Sequence, residues 1–91
     1  MPLESSIVAS ILRKLNSLPG TRAKKHHGSQ FGAVELDIYG VSNGVPFFIE
    51  AKQPGKKPTA RQEREIAAWR AAGAKAGVAT SVSEALEILQ S

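Results

Sequence analysis

The residues with chemistry to offer lie in one stretch, Glu35 to Lys52, around the dipeptide Asn43-Gly44. Asn-Gly is the strongest short-range hairpin signal, because both residues accept the positive φ of a type I′ turn. With these two as the loop, Ser42 faces Val45, Asp37 faces Glu50 and Glu35 faces Lys52. Side chains alternate along a strand, so Glu35, Asp37, Glu50 and Lys52 emerge on one face of the ribbon. Opposed residues hold their Cβ atoms only about 4.5–5.5 Å apart, and two acids placed so repel unless a cation sits between them. A hard divalent ion that takes oxygen ligands suits the place, which means Mg²⁺ or Mn²⁺. Lys52, two residues past Glu50, shares the face and can answer negative charge on a substrate. This combination points to metal-dependent phosphodiester hydrolysis.

The charge around the stretch suits such a substrate. Twelve Lys and Arg against eight Asp and Glu leave a net charge of +4. Arg22, Lys24 and Lys25 cluster with His26 and His27 on one side of the hairpin, and Lys56, Lys57, Arg61 and Arg64 on the other. Cations that grip phosphates around an acidic pocket are what a DNA-cutting site needs, although each cluster alone also reads as a solvated face. His26 and His27 point to opposite faces of a strand and cannot easily share one ion. They read as surface or phosphate-contacting residues. The chain has no cysteine, which removes disulfides, thiolate zinc sites and thiol nucleophiles. No Ser-His-Asp set, HExxH pattern or phosphate-cradling glycine loop competes. The start lacks a signal-peptide pattern and no apolar run can span a bilayer, so a cytoplasmic protein without a membrane partner is expected.

Ninety-one residues make one small domain, 1–91, with a thin core that a second copy would supplement. Residues 3–18 have the spacing of a helix, with an apolar stripe at Val8, Ile11, Leu15 and Leu18 broadened by Ile7 and Leu12, stopped by Pro19-Gly20. Glu4 lies on that stripe one turn before Val8; it either complements the helix dipole or reaches the carboxylates as a ligand. Residues 21–27 form a first strand and 28–32 a loop. The hairpin strands are 33–41 and 45–52, with Leu36, Ile38, Phe47, Ile49 and Ala51 on an apolar face and Tyr39 opposite Phe48 on the charged one. Pro46 places the outer part of the hairpin outside a continuous ladder. After a loop at 53–58, Thr59 caps a helix to about Ala72 that Gly73 ends. Gln62 completes a capping box with Thr59, yet it also shares the stripe of Ile66 and Trp69 and could reach the site instead. A strand at 74–80 follows, then a helix capped by Ser81 or Ser83 with Val82, Leu86 and Leu89 on its apolar side. The crossover between the third and fourth strands implies that they run parallel. The expected fold is α/β, αβββαβ(α), with a small mixed sheet flanked by helices.

Asp37, then twelve intervening residues and Glu50-Ala51-Lys52, resembles the D…(D/E)-x-K core of the PD-(D/E)XK nuclease superfamily. Glu4 on the first helix, the run Phe48-Ile49-Glu50-Ala51-Lys52, Gly55, then Thr59-x-x-Gln62 and a closing strand before a Ser-capped helix resemble the VRR-NUC (virus-type replication-repair nuclease) domain over nearly the whole chain. The superfamily often has proline before its aspartate, where Leu36 stands here; proline supplies no chemistry. The resemblance implies a restriction-endonuclease-like fold and a stand-alone protein of phage or bacterial kind. It makes Glu4, Asp37, Glu50 and the Ala51 carbonyl metal ligands, Lys52 the catalytic lysine and Gln62 a polar site residue. It also implies a homodimer acting on branched or four-way-junction DNA. Two other readings stand beside it: a non-catalytic nucleic-acid-binding module on the same fold, and an ordinary surface charge ladder. A pure binder has no need to oppose Asp37 to Glu50.

Overall fold

The computed structural model describes residues 2–27 and 36–91. The described elements are α1 (Glu4–Asn16), β1 (Thr21–Lys25), β2 (Ile38–Ser42), β3 (Val45–Ala51), α2 (Ala60–Ala71), β4 (Lys75–Ala79) and α3 (Val82–Gln90). The sheet order is β1-β2-β3-β4, antiparallel at its first two junctions and parallel between β3 and β4. This is the mixed sheet that the hairpin and the later crossover predict.

The hairpin register is the predicted one, with Ser42 paired to Val45 and Ile38 to Ile49. Asn43 and Gly44 take φ of 50° and 83°, both in the left-handed region that the two-residue turn demands. Pairing of β3 with β4 begins at Phe47, so Pro46 stands just outside the parallel ladder, where its missing N–H breaks no bond of that ladder.

The strands are shorter than the sequence suggests. β1 ends at Lys25 rather than 27, β4 spans five residues, and β2 begins at Ile38. Asp37 is a bend rather than the next ladder residue, and its carbonyl accepts from the His26 N–H at 2.7 Å. The bend turns Leu36 away from its expected face. Instead of joining Ile38 and Phe47, it packs with Ile66, Ala76, Phe48, Trp69 and Val78. The loop at 28–32, the strand start at 33–35 and the pairing of Glu35 with Lys52 lie outside the described residues.

Two clusters hold the layers together. On one face, Ile7, Val8, Ile11 and Leu15 of α1 and Ala85 of α3 cover Ala23, Ile38, Phe47, Ile49, Ala51 and Ala79. Ile11, Leu15, Ile38, Phe47 and Ile49 are fully buried, each contributing about 1.5–3 kcal/mol of apolar burial. On the other face, α2 lays Ile66 and Trp69 over β3 and β4, with Trp69 stacked on Phe48 at a 3.9 Å centroid distance. α2 carries the full capping box: Thr59 accepts from the Gln62 N–H, and the Thr59 N–H donates to Gln62 Oε1. Ser81 rather than Ser83 caps α3, accepting from the Glu84 N–H. Glu84 Oε1 accepts in turn from Thr80, which lowers the Glu84 carboxyl pKa.

Candidate functional site

Three elements deliver the carboxylates. Glu50 is the penultimate pair position of β3, on the face that α2 covers, and only 3 % of it is exposed. Asp37 stands at the bend before β2. The bend leaves Ala51 at the end of β3 without a neighbouring backbone acceptor on that side, and the Asp37 carboxylate fills the place, its Oδ2 accepting from the Ala51 N–H at 2.9 Å. Glu4 opens α1, whose start is tied to the end of β3 by a hydrogen bond from Gln53 Nε2 to the Pro2 carbonyl at 2.9 Å. One carboxylate oxygen from each of Glu4, Asp37 and Glu50 lies within 4.8 Å of the other two.

The surroundings of Glu50 are lopsided. Its Oε2 accepts from Gln62 Nε2 at 3.1 Å and faces the Lys52 ammonium at 3.7 Å. Its Oε1 is buried without a hydrogen-bond partner among the described residues. A bare carboxylate oxygen inside a protein is costly, commonly by about 1–3 kcal/mol or more. The Glu50 pKa responds: loss of water, with Asp37 beside it, pushes the carboxyl up from the ordinary 4.5 to about 7. Lys52 and a backbone hydrogen bond at Asp37 pull the other way without offsetting the rise.

An all-oxygen donor set with one oxygen left bare fits a hard divalent cation. Such an ion would satisfy Oε1, screen Asp37 from Glu50 and favour the ionised form. Glu4, Asp37 and Glu50 are the residues whose carboxylates could hold such an ion.

Gln62 serves both of the purposes that sequence reading sets against each other. Its Oε1 closes the capping box with Thr59 while its Nε2 holds Glu50. A side-chain amide has an acceptor at one end and donors at the other, so the uses are compatible. Lys52 pairs with Glu50 and follows β3 directly, its N–H donating to the Ala79 carbonyl. Arg22 and Lys24 are exposed on the sheet face opposite Ala23, while Lys25 alternates away from them. Lys56 and Lys57 are exposed in the loop after β3, and Arg61 and Arg64 on α2. His27 is exposed. His26 leans edge-on against Tyr39, with ring centroids 6.3 Å apart, and neither histidine joins the carboxylates. Sequence reasoning missed the His26–Tyr39 contact and the Phe48–Trp69 stack; the cross-strand pairing of Tyr39 with Phe48 is the signal that could have led to both.

No family model matches the sequence, and no curated protein does. A solved structure described as a VRR_NUC domain is similar over 96% of this chain and 94% of that one, with a TM-score of 0.75 at 24% identity. The chain has the VRR-NUC fold.

Proposed function

We propose that this chain is a metal-dependent DNA endonuclease, one nuclease unit spanning residues 1–91, that hydrolyses phosphodiester bonds. The observation that carries this reading is that one carboxylate oxygen from each of Glu4, Asp37 and Glu50 lies within 4.8 Å of the others, with a buried Glu50 oxygen left without a partner among the described residues. The VRR-NUC fold supports it, since a neighbour of that description shares nearly the full length. Glu4, Asp37, Glu50 and the Ala51 carbonyl would hold Mg²⁺ or Mn²⁺. When bound, such an ion supplies Lewis acidity at the phosphate and lowers the pKa of water.

The chain's own groups do the rest. Lys52, beside Glu50, stabilises negative charge developing on the phosphate and helps to place the attacking water. Gln62 fixes the Glu50 carboxylate from a helix end locked by its own cap, so the ligand is preorganised. Arg22, Lys24, Lys25, Lys56, Lys57 and Arg61 grip the DNA backbone on either side. The substrate is branched or four-way-junction DNA in the cytoplasm, cut by a homodimer in which each copy supplies one centre. Light scattering is expected to return the mass of a pair.

The test is cleavage of labelled four-way-junction, flap and linear duplex DNA with Mg²⁺ or Mn²⁺. Cutting that vanishes with chelator, in Asp37→Asn and in Glu50→Gln supports the nuclease, and the substrate order names its kind. Binding without cutting on every substrate, unaltered by the mutations, would leave a nucleic-acid-docking module.

A further inference from the structure

Among the described residues α2 packs against β3 and β4, and the same face of β1 and β2 carries a groove. Its cavity measures about 380 Å³ and is walled by Tyr39, Val41, Pro46 and Phe48, with Arg22 and Lys24 along one side. Tyr39 and Val41 are 40% and 47% exposed, unusual for large apolar side chains next to each other on adjacent pleats. Lys24, Tyr39 and Phe48 form one row across three strands, and Arg22, Val41 and Pro46 the next. Phe48 is braced from behind by Trp69, stacked at 3.9 Å and 19°, and Tyr39 is steadied by the edge of His26. The aromatic walls are therefore held rigid before anything binds.

We propose that this face is a stacking platform for an unpaired nucleotide of single-stranded DNA, seated next to the cut; the inference rests on the nuclease reading above and specifies its substrate as DNA with unpaired bases at the site. Three observations select this occupant. Aromatic faces with interleaved cations are what a single strand needs: π-surfaces for bases and positive charge for its backbone. Charge complementarity is one-sided, since among the described residues no carboxylate walls the groove. The groove also lies near the proposed metal centre, because Glu50 follows Phe48, which lines it, by two residues on the same strand and face, about 7 Å along it. A second copy of the chain suits the face poorly. A two-fold interface sets the same patch against itself, and the groove brings Arg22 and Lys24 to such a contact with no carboxylate among the described lining residues to answer them.

Binding is measured in chelator, so that no cutting intervenes, using oligonucleotides that carry 2-aminopurine in a single strand, in a flap or within duplex. Wild type is expected to quench the probe in the first two and not in duplex. Tyr39→Ala should weaken single-strand binding about tenfold relative to duplex, whereas Tyr39→Trp retains it. Tyr39 is exposed, and the Trp variant guards against mistaking misfolding for lost stacking. Equal single-strand affinity of wild type and Tyr39→Ala would overturn the proposal. So would a Tyr39→Ala variant that dissociates a dimer in light scattering, which would give the face to a second copy. A protein that quenches but never cuts with metal keeps the platform and loses the nuclease; one that cuts without quenching loses the platform alone.

Discussion

Glu50→Gln should stabilise the metal-free protein while making it blind to metal. Moving the Glu50 carboxyl from 4.5 to about 7 costs its ionised form roughly 3–4 kcal/mol, at about 1.4 kcal/mol for each tenfold change in proton affinity. Glutamine keeps the shape and an oxygen for Gln62 Nε2, but forfeits the attraction of Lys52. A net gain of about 1–3 kcal/mol at pH 8 remains, which for a domain of this size raises Tm by roughly 5–20 °C. The sign depends on pH. A raised carboxyl pKa means that the folded state binds the proton more tightly, so stability from this group is present below about 4.5 and is lost as pH rises through about 7. At pH 5 wild-type Glu50 is already protonated in the fold, and most of the variant's advantage should vanish. Mn²⁺ at a hundred times its dissociation constant should add about 2.7 kcal/mol to wild type at pH 8 and little to the variant. Thermal melts followed by circular dichroism read both proteins under all three conditions. A variant that melts below metal-free wild type at pH 8, or that keeps the same gain at pH 5, would refute the reasoning.

Three further outcomes follow from the same geometry. Gln62→Glu retains a capping-box acceptor but sets another carboxylate against Glu50, so metal-free Tm should fall at pH 8 and recover with Mn²⁺; an unchanged melt would contradict the Gln62–Glu50 contact. Metal binding must displace the Glu50 proton, so below about pH 7 affinity should drop up to tenfold for each pH unit. Calorimetry at pH 6 in two buffers of different ionisation heat should show proton release, and equal heats would count against it. Gly40→Ala would drive its Cβ to 2.6 Å from Phe47 Cζ and closer still to the Arg22 carbonyl, costing about 3 kcal/mol or more, whereas Gly55→Ala meets no atom and carries only the strain of φ 86°. Chemical denaturation of the two variants checks the difference.

The hairpin register was legible because Asn43-Gly44 fixes every later pair by counting, and the structure keeps that count from Ser42–Val45 to Ile38–Ile49. Leu36 was misplaced because the counting assumes an unbroken strand. The bend at Asp37 comes from its hydrogen bonds to His26 and Ala51, contacts between segments distant in sequence that no local pattern records. The two readings of Gln62 looked exclusive only because each was assigned the whole side chain. For Glu4, helical spacing alone left the dipole and ligand readings open; the three-dimensional start of α1, anchored through Pro2 to Gln53, is what brings it to Asp37 and Glu50. The open face of β1 and β2 was hidden for a related reason: which strands a helix covers depends on where the crossover lands.

The claim on which the account turns is that Glu4, Asp37 and Glu50 form a metal centre. Its most direct test is an anomalous difference map from crystals of this protein grown or soaked with Mn²⁺. A peak is expected within about 2–2.5 Å of an oxygen from each of the three carboxylates, absent in Glu50→Gln crystals treated alike. No peak there, or an ion held only elsewhere on the surface, would contradict it.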